Sequence, residues 1–130
     1  MRVIAIIIAI LGLATFVYGI LFVAQAGSVE TEVADSIAPL TLDKLDATYD
    51  AVAVKYDAVK AAEEPKIQAG QALPSVTYDY LSAQRALLGL SRTNVGMAKI
   101  IRTSGTVDIL AGLGVFLAGI WMLRKSMSAA

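Results

Sequence analysis

The sequence predicts an all-α membrane protein: two transmembrane helices flank an extracytoplasmic antiparallel helical hairpin, and the second hairpin helix runs on into the second span. Three observations predict it. Apolar residues make up 57% of the 130-residue chain and collect in blocks at its two ends. A soluble core does not gather its apolar residues in that way. Small residues recur every seven positions in both blocks, as Ala5, Gly12, Gly19 and Ala26 in the first and Gly105, Gly112 and Gly119 in the second. Between the blocks lie two polar helix-forming stretches, parted by Pro65, Gly70 and Pro74.

Residues 1–2 are read as a cytoplasmic N-terminus, and residues 3–24 as the first span, since they carry no charge. At 1.5 Å per residue they reach roughly 33 Å, enough to cross the hydrocarbon core. A cleaved signal peptide is the rival reading, because Ala24-Gln25-Ala26 fits a small-x-small cleavage pattern and Arg2 is a minimal basic flank. The apolar run exceeds the usual hydrophobic region of such a peptide, so a retained anchor is expected. Ala5, Gly12 and Gly19 would let another backbone approach closely, and close van der Waals packing is what draws helices together in lipid.

Residues 25–106 form the expected extracytoplasmic segment. Gly27-Ser28 is read as a break, followed by a short amphipathic helix with Val29, Val33 and Ile37 on one face, ending before Pro39. The first hairpin helix is expected over about 42–64. There Leu42, Leu45, Tyr49, Val52, Tyr56 and Val59 step by three and four, a heptad seam, and the tetrapeptide Tyr-Asp-Ala-Val occurs at 49–52 and again at 56–59. Thr41 is the expected N-cap and Pro65 the expected terminator. Residues 65–76 read as the hairpin loop and 77–106 as the second helix.

That second helix is apolar on two sides. Leu81, Leu88 and Val95 form one row; Leu87, Leu90, Met97 and Ile101 form another, with Asn94, the only asparagine, within it. A helix apolar on two sides needs more than one neighbour. Leu87, Leu90, Asn94 and Met97 are taken as its share of the hairpin seam, Asn94 fixing register as a buried amide does. Charge follows the same period. Asp43, Asp50 and Asp57 lie seven apart on the first helix, and Arg85, Arg92 and Lys99 seven apart on the second. An antiparallel hairpin sets Asp57 opposite Arg85, Asp50 opposite Arg92 and Asp43 opposite Lys99, either within one chain or between subunits.

The second span is expected over 107–123, at the short end of what crosses, with 124–130 as a cytoplasmic tail. Asp108 sits at its outer edge, where a carboxylate can reach water, and Trp121 is an interfacial anchor at the other end. Arg2, Arg124 and Lys125 place both termini in the cytoplasm of a cell-membrane protein by the positive-inside rule.

Composition excludes much chemistry. The chain has no cysteine and no histidine, which removes disulfides, thiolate and imidazole metal sites and every nucleophile built on them. A formal net charge of zero offers no electrostatic footprint for nucleic acid. No phosphate loop is present, and the carboxylates lie along a solvated helix rather than on converging loops. Tyr78, Asp79 and Tyr80 make a possible recognition spot near the hairpin tip. No catalytic residue, metal or cofactor is therefore expected. The partners expected are the lipid bilayer and other copies of the chain or other membrane subunits. Two functions fit: a non-enzymatic structural or assembly protein working through its glycine seams and coiled-coil-like ectodomain, or a sensory or regulatory accessory whose ectodomain binds a ligand or partner.

Overall fold

The computed structural model describes residues 2–128, so residue 1 and residues 129–130 of the expected termini lie outside it. Among the described residues there are three α-helices, one short 3-10 turn and no strand: α1 Arg2–Ser36, the turn Leu42–Lys44, α2 Leu45–Gln68 and α3 Val76–Ser128. Both α1 and α3 are long and apolar enough to cross a membrane. Only 17% and 11% of their most apolar windows are buried inside the chain, which distinguishes them from the core helices of a soluble domain.

Helix boundaries depart from the sequence expectation at two places. Gly27-Ser28 does not break the chain, and α1 continues to Ser36. The seven-residue series runs straight through that dipeptide, since Ala26 and Val33 are both buried, and packing at these positions outweighs the cost of one helical glycine, about 1 kcal/mol. Pro65 does not stop α2 either; it lies inside a helix that continues to Gln68. Pro65 and Ala61, four residues earlier, are both exposed, so water can take the carbonyl that the proline leaves without a donor. Gly70 supplies the stop. Its φ is +68°, the Gly70 N–H donates to the Ile67 carbonyl at 3.0 Å, and the Gln71 N–H to the Lys66 carbonyl at 2.9 Å. This is the paired capping pattern that a left-handed glycine completes.

The chain divides into two compact units. The first comprises Met1–Glu30 and Met97–Ala130. Its buried positions are all small: Ala5, Gly12, Gly19 and Ala26 on α1, with Ala98, Gly105, Gly112 and Gly119 on α3. The large apolar side chains, such as Ile4, Ile10, Leu11, Leu110 and Leu117, point outward. Polar contacts close this pair of helix segments at both ends. Arg102 donates from Nη2 to Glu30 Oε2 at 2.6 Å, and Arg2 donates from Nη2 to the Ser126 carbonyl at 3.5 Å.

The second unit is Thr31–Gly96. Val33, Ile37, Leu45, Val52, Leu81 and Leu88 form its small core, with Ser91 buried beside them and its hydroxyl turned back to the Leu87 carbonyl. Thr41 precedes the 3-10 turn rather than α2, whose own N-cap position is Lys44. It takes the extended conformation at φ −97° and ψ 153°, but its side chain makes no cap hydrogen bond. That hydroxyl instead holds the Asp43 carboxyl below its ordinary value.

Candidate functional site

Four constellations carry the polar and exposed features of the chain. The first is the small-residue seam of the first unit. A Cβ built on Gly19 would lie 2.6 Å from the Gly105 carbonyl oxygen, and one on Gly105 would lie 2.7 Å from that of Gly19. Gly12 faces Gly112 in the same reciprocal way, each also meeting the backbone nitrogen of a phenylalanine four residues beyond the other glycine, Phe116 and Phe16. Gly119 abuts Ala9, and Ala5 is buried. Residues 5, 12 and 19 and residues 105, 112 and 119 thus run in opposite directions along one contact, made within a single chain.

The second is a repeated Tyr-Asp-Arg unit in the second unit. Arg85 Nη1 pairs with Asp57 Oδ1 at 3.3 Å and lies over the Tyr56 ring, 4.9 Å from its centroid. Seven residues on, Arg92 lies 5.2 Å over Tyr49 and reaches Asp46 at 2.8 Å and Asp50 at 3.8 Å. Each Tyr-Asp-Ala-Val copy on α2 therefore receives one arginine of α3. A hydrogen bond with the Tyr49 hydroxyl, then the Asp57 charge, raises the pKa of Arg85 further. Asp46 makes the shorter contact with Arg92, yet it falls off the seven-residue acidic row. Its only sequence signal is its place one helical turn before Asp50. Asp43 lies in the second unit and Lys99 in the first.

The arginines also select which side of α3 is covered. Leu88 lies three residues after Arg85 and four before Arg92, on the same side of the helix, and Leu81 and Leu88 are buried. Leu45 and Val52 of α2 are buried, while Leu42, Tyr49, Tyr56 and Val59 are half-buried. The row expected to share that seam is turned away: Leu87 is 49% exposed, Leu90 61% and Met97 56%, with Asn94 half-buried.

The third constellation joins the end of α2 to the start of α3. Ser75 donates to the Glu63 carboxylate twice, from its N–H at 3.0 Å and its hydroxyl at 2.7 Å, and the Tyr78 N–H donates to Ser75 Oγ at 3.1 Å. Ser75 is thus the N-cap of α3. Its hydroxyl, and next its N–H, hold the Glu63 carboxyl below the usual range. The Tyr78 ring packs on Tyr56 with centroids 5.6 Å apart, and a hydrogen bond to Tyr56 pushes the Tyr78 phenol up to about 12. The sequence offered no hint of the Glu63–Ser75 contact, because its partners are twelve residues apart across a turn.

The fourth is an open cleft of about 610 Å³ in the second unit, with Ile37, Pro39 and Leu40 on one side, Leu87 and Leu88 on another, and Lys44, Tyr80 and Gln84 as polar groups. Among the described residues no cluster of three or more carboxylates could hold a metal ion. No family model, no curated protein and no solved structure matches the chain.

Proposed function

We propose that the chain is a two-span integral membrane protein of the cell membrane, with residues 25–106 outside the cytoplasm as a helical hairpin and both termini inside. Its role is non-enzymatic: it assembles with other membrane-bound chains. The single observation that carries this reading is the exposed row Leu87, Leu90 and Met97 on α3. The helix already has one covered side, so this second apolar side is available to a further chain. The glycine seams serve a different purpose from the one their spacing first suggests. They are satisfied within the chain, where they fix α1 against α3 in the first unit, and the assembling surface lies elsewhere. Outward-facing Ile4, Ile10, Leu11, Leu110 and Leu117 suit lipid, whereas in water so large an apolar surface would drive aggregation.

The test is the mass of the full-length protein extracted in mild detergent. A complex of several chains is expected, whether copies or other subunits, and Leu87→Glu with Leu90→Glu should dissociate it while helix content stays intact. A single chain with no copurifying partner overturns the reading. The cleft beside Lys44 and Tyr80 favours a second function, that of a sensory accessory, since its volume falls within the range of small-molecule sites. In that case Lys44→Ala, at a cleft position off the exposed α3 row, would abolish a response and leave the assembly whole.

A further inference from the structure

The exposed side of α3 can be followed residue by residue. Tyr80, Ala83, Leu87, Leu90, Asn94, Met97 and Ile101 step alternately by three and four, which gives a and d positions to an unbroken heptad pattern. Tyr80, Leu87, Leu90 and Met97 are left open, with Tyr80 at 62% exposure and Leu90 at 61%, while Ile101 is half-buried. Within residues 80–101 this side carries no charge, since Arg85, Arg92 and Lys99 all fall at the position farthest from the row. The flanking positions hold Asp79, Gln84, Ala86, Ser91 and Thr93, with Ser91 buried against the chain's own core. In a parallel pair Asp79 would face Gln84, so an identical helix can approach without like charges meeting.

One polar residue interrupts the row, and its chemistry selects the occupant. The half-buried side-chain amide of Asn94 has no hydrogen-bond partner among the described residues. Two copies held in one membrane with the same orientation present α3 in the same direction, so a two-fold pairing sets each a position against itself. A residue facing its own copy must be self-complementary. An amide is, because it carries both donor and acceptor, whereas a carboxylate or an ammonium is not. Resting on the assembly reading above, we infer that the partner is a second copy of this chain, joined by a parallel α3–α3 pairing in which Asn94 meets Asn94. The amide pair sets register and copy number, as a lone a-position asparagine does in two-stranded coiled coils.

The chain has no cysteine, so single cysteines report the contact cleanly in native membranes. Under mild oxidation Leu87→Cys and Leu90→Cys should each give a disulfide-linked species of twice the chain mass, because the bond forms only when Cα atoms come within about 7 Å. Gly96→Cys, on an open side where an added Cβ meets nothing within 4 Å, should not. Asn94→Asp should weaken the dimer at least tenfold in detergent at neutral pH and recover as the carboxylates protonate. Equal cross-linking at all three positions, or none at 87 and 90, overturns the pairing. A detergent complex that contains a different protein and only one copy of this chain would sink the second-copy inference while leaving the assembly reading intact. A lone chain would sink both.

Discussion

Gly12 and Gly112 face each other so closely that a Cβ on Gly112 would sit 2.8 Å from the Gly12 carbonyl oxygen, and one on Gly12 would sit 2.8 Å from the Gly112 carbonyl oxygen. Neither helix can accept a methyl group there without moving backbone. Gly112→Ala should therefore destabilise the α1–α3 pair by about 1–3 kcal/mol, the usual cost of overpacking. Gly114, two residues on, has nothing within 4 Å of an added Cβ, so Gly114→Ala serves as the control. Thermal unfolding in detergent, followed by circular dichroism, compares them. Equal midpoints would mean that the seam tolerates separation and does not fix the pair.

The Arg92 contacts give a second prediction. A double-mutant cycle of Asp46→Ala and Arg92→Ala should return a coupling of about 0.3–1 kcal/mol, as befits an exposed ion pair. Asp50→Ala should couple more weakly, because its contact is 3.8 Å against 2.8 Å for Asp46. Raising the ionic strength to about 1 M shortens the screening length to roughly 3 Å and should shrink both values. A larger coupling for Asp50 would refute the ranking.

The seven-residue spacing of small residues, legible from sequence, marked the side of each helix that another backbone approaches, since only glycine and alanine permit it. The spacing says nothing of which helix approaches, and the answer, the other long apolar helix of the same chain, needed the structure. The same ambiguity misdirected the choice of seam on α3. Its two apolar rows look alike in composition, and what decides between them is the position of Arg85 and Arg92 beside Leu88. The acidic and basic sevenfold rows already contained that information for Asp57 and Arg85. Gly27 and Pro65 misled for a different reason. Local breaker propensities amount to a few kcal/mol at most, and a continuing packed series or an exposed, hydratable carbonyl overrides them. Glu63 and Ser75 were illegible because no periodicity marks a contact made across a turn.

The Glu63 contact has a pH signature. Ser75 lowers the folded-state pKa of Glu63 below its ordinary value of 4.5, so above that value the carboxylate is ionised in both states and its contribution is complete. As pH falls, the unfolded chain takes up the proton first, and the contribution disappears as pH passes down through the folded-state pKa. Glu63→Gln should lower stability at pH 7 and show a shallower loss between about pH 5 and 3 than the parent protein. Parallel acid profiles for the two proteins would show that Ser75 does not favour the ionised carboxylate.

Orientation is open to direct test, because the cysteine-free background lets one introduced thiol report one location. Arg2 precedes the first apolar stretch, and Arg124 and Lys125 follow the second without an acidic neighbour; basic residues at span ends stay in the cytoplasm. Lys99 and Arg102 lie at the opposite end of the second apolar stretch and oppose this assignment. Against them, Arg102 is engaged by Glu30, and a connecting segment longer than about 60 residues crosses largely regardless of its charge. A cysteine at Gln68, exposed at the end of α2, should react with an impermeant thiol reagent on intact cells. One at Ser128, beyond Arg124 and Lys125, should react only after the membrane is opened. The reverse pattern would invert the protein in the membrane and place residues 25–106 in the cytoplasm. Labelling of both sites on intact cells would mean that at least one of the two apolar stretches does not cross.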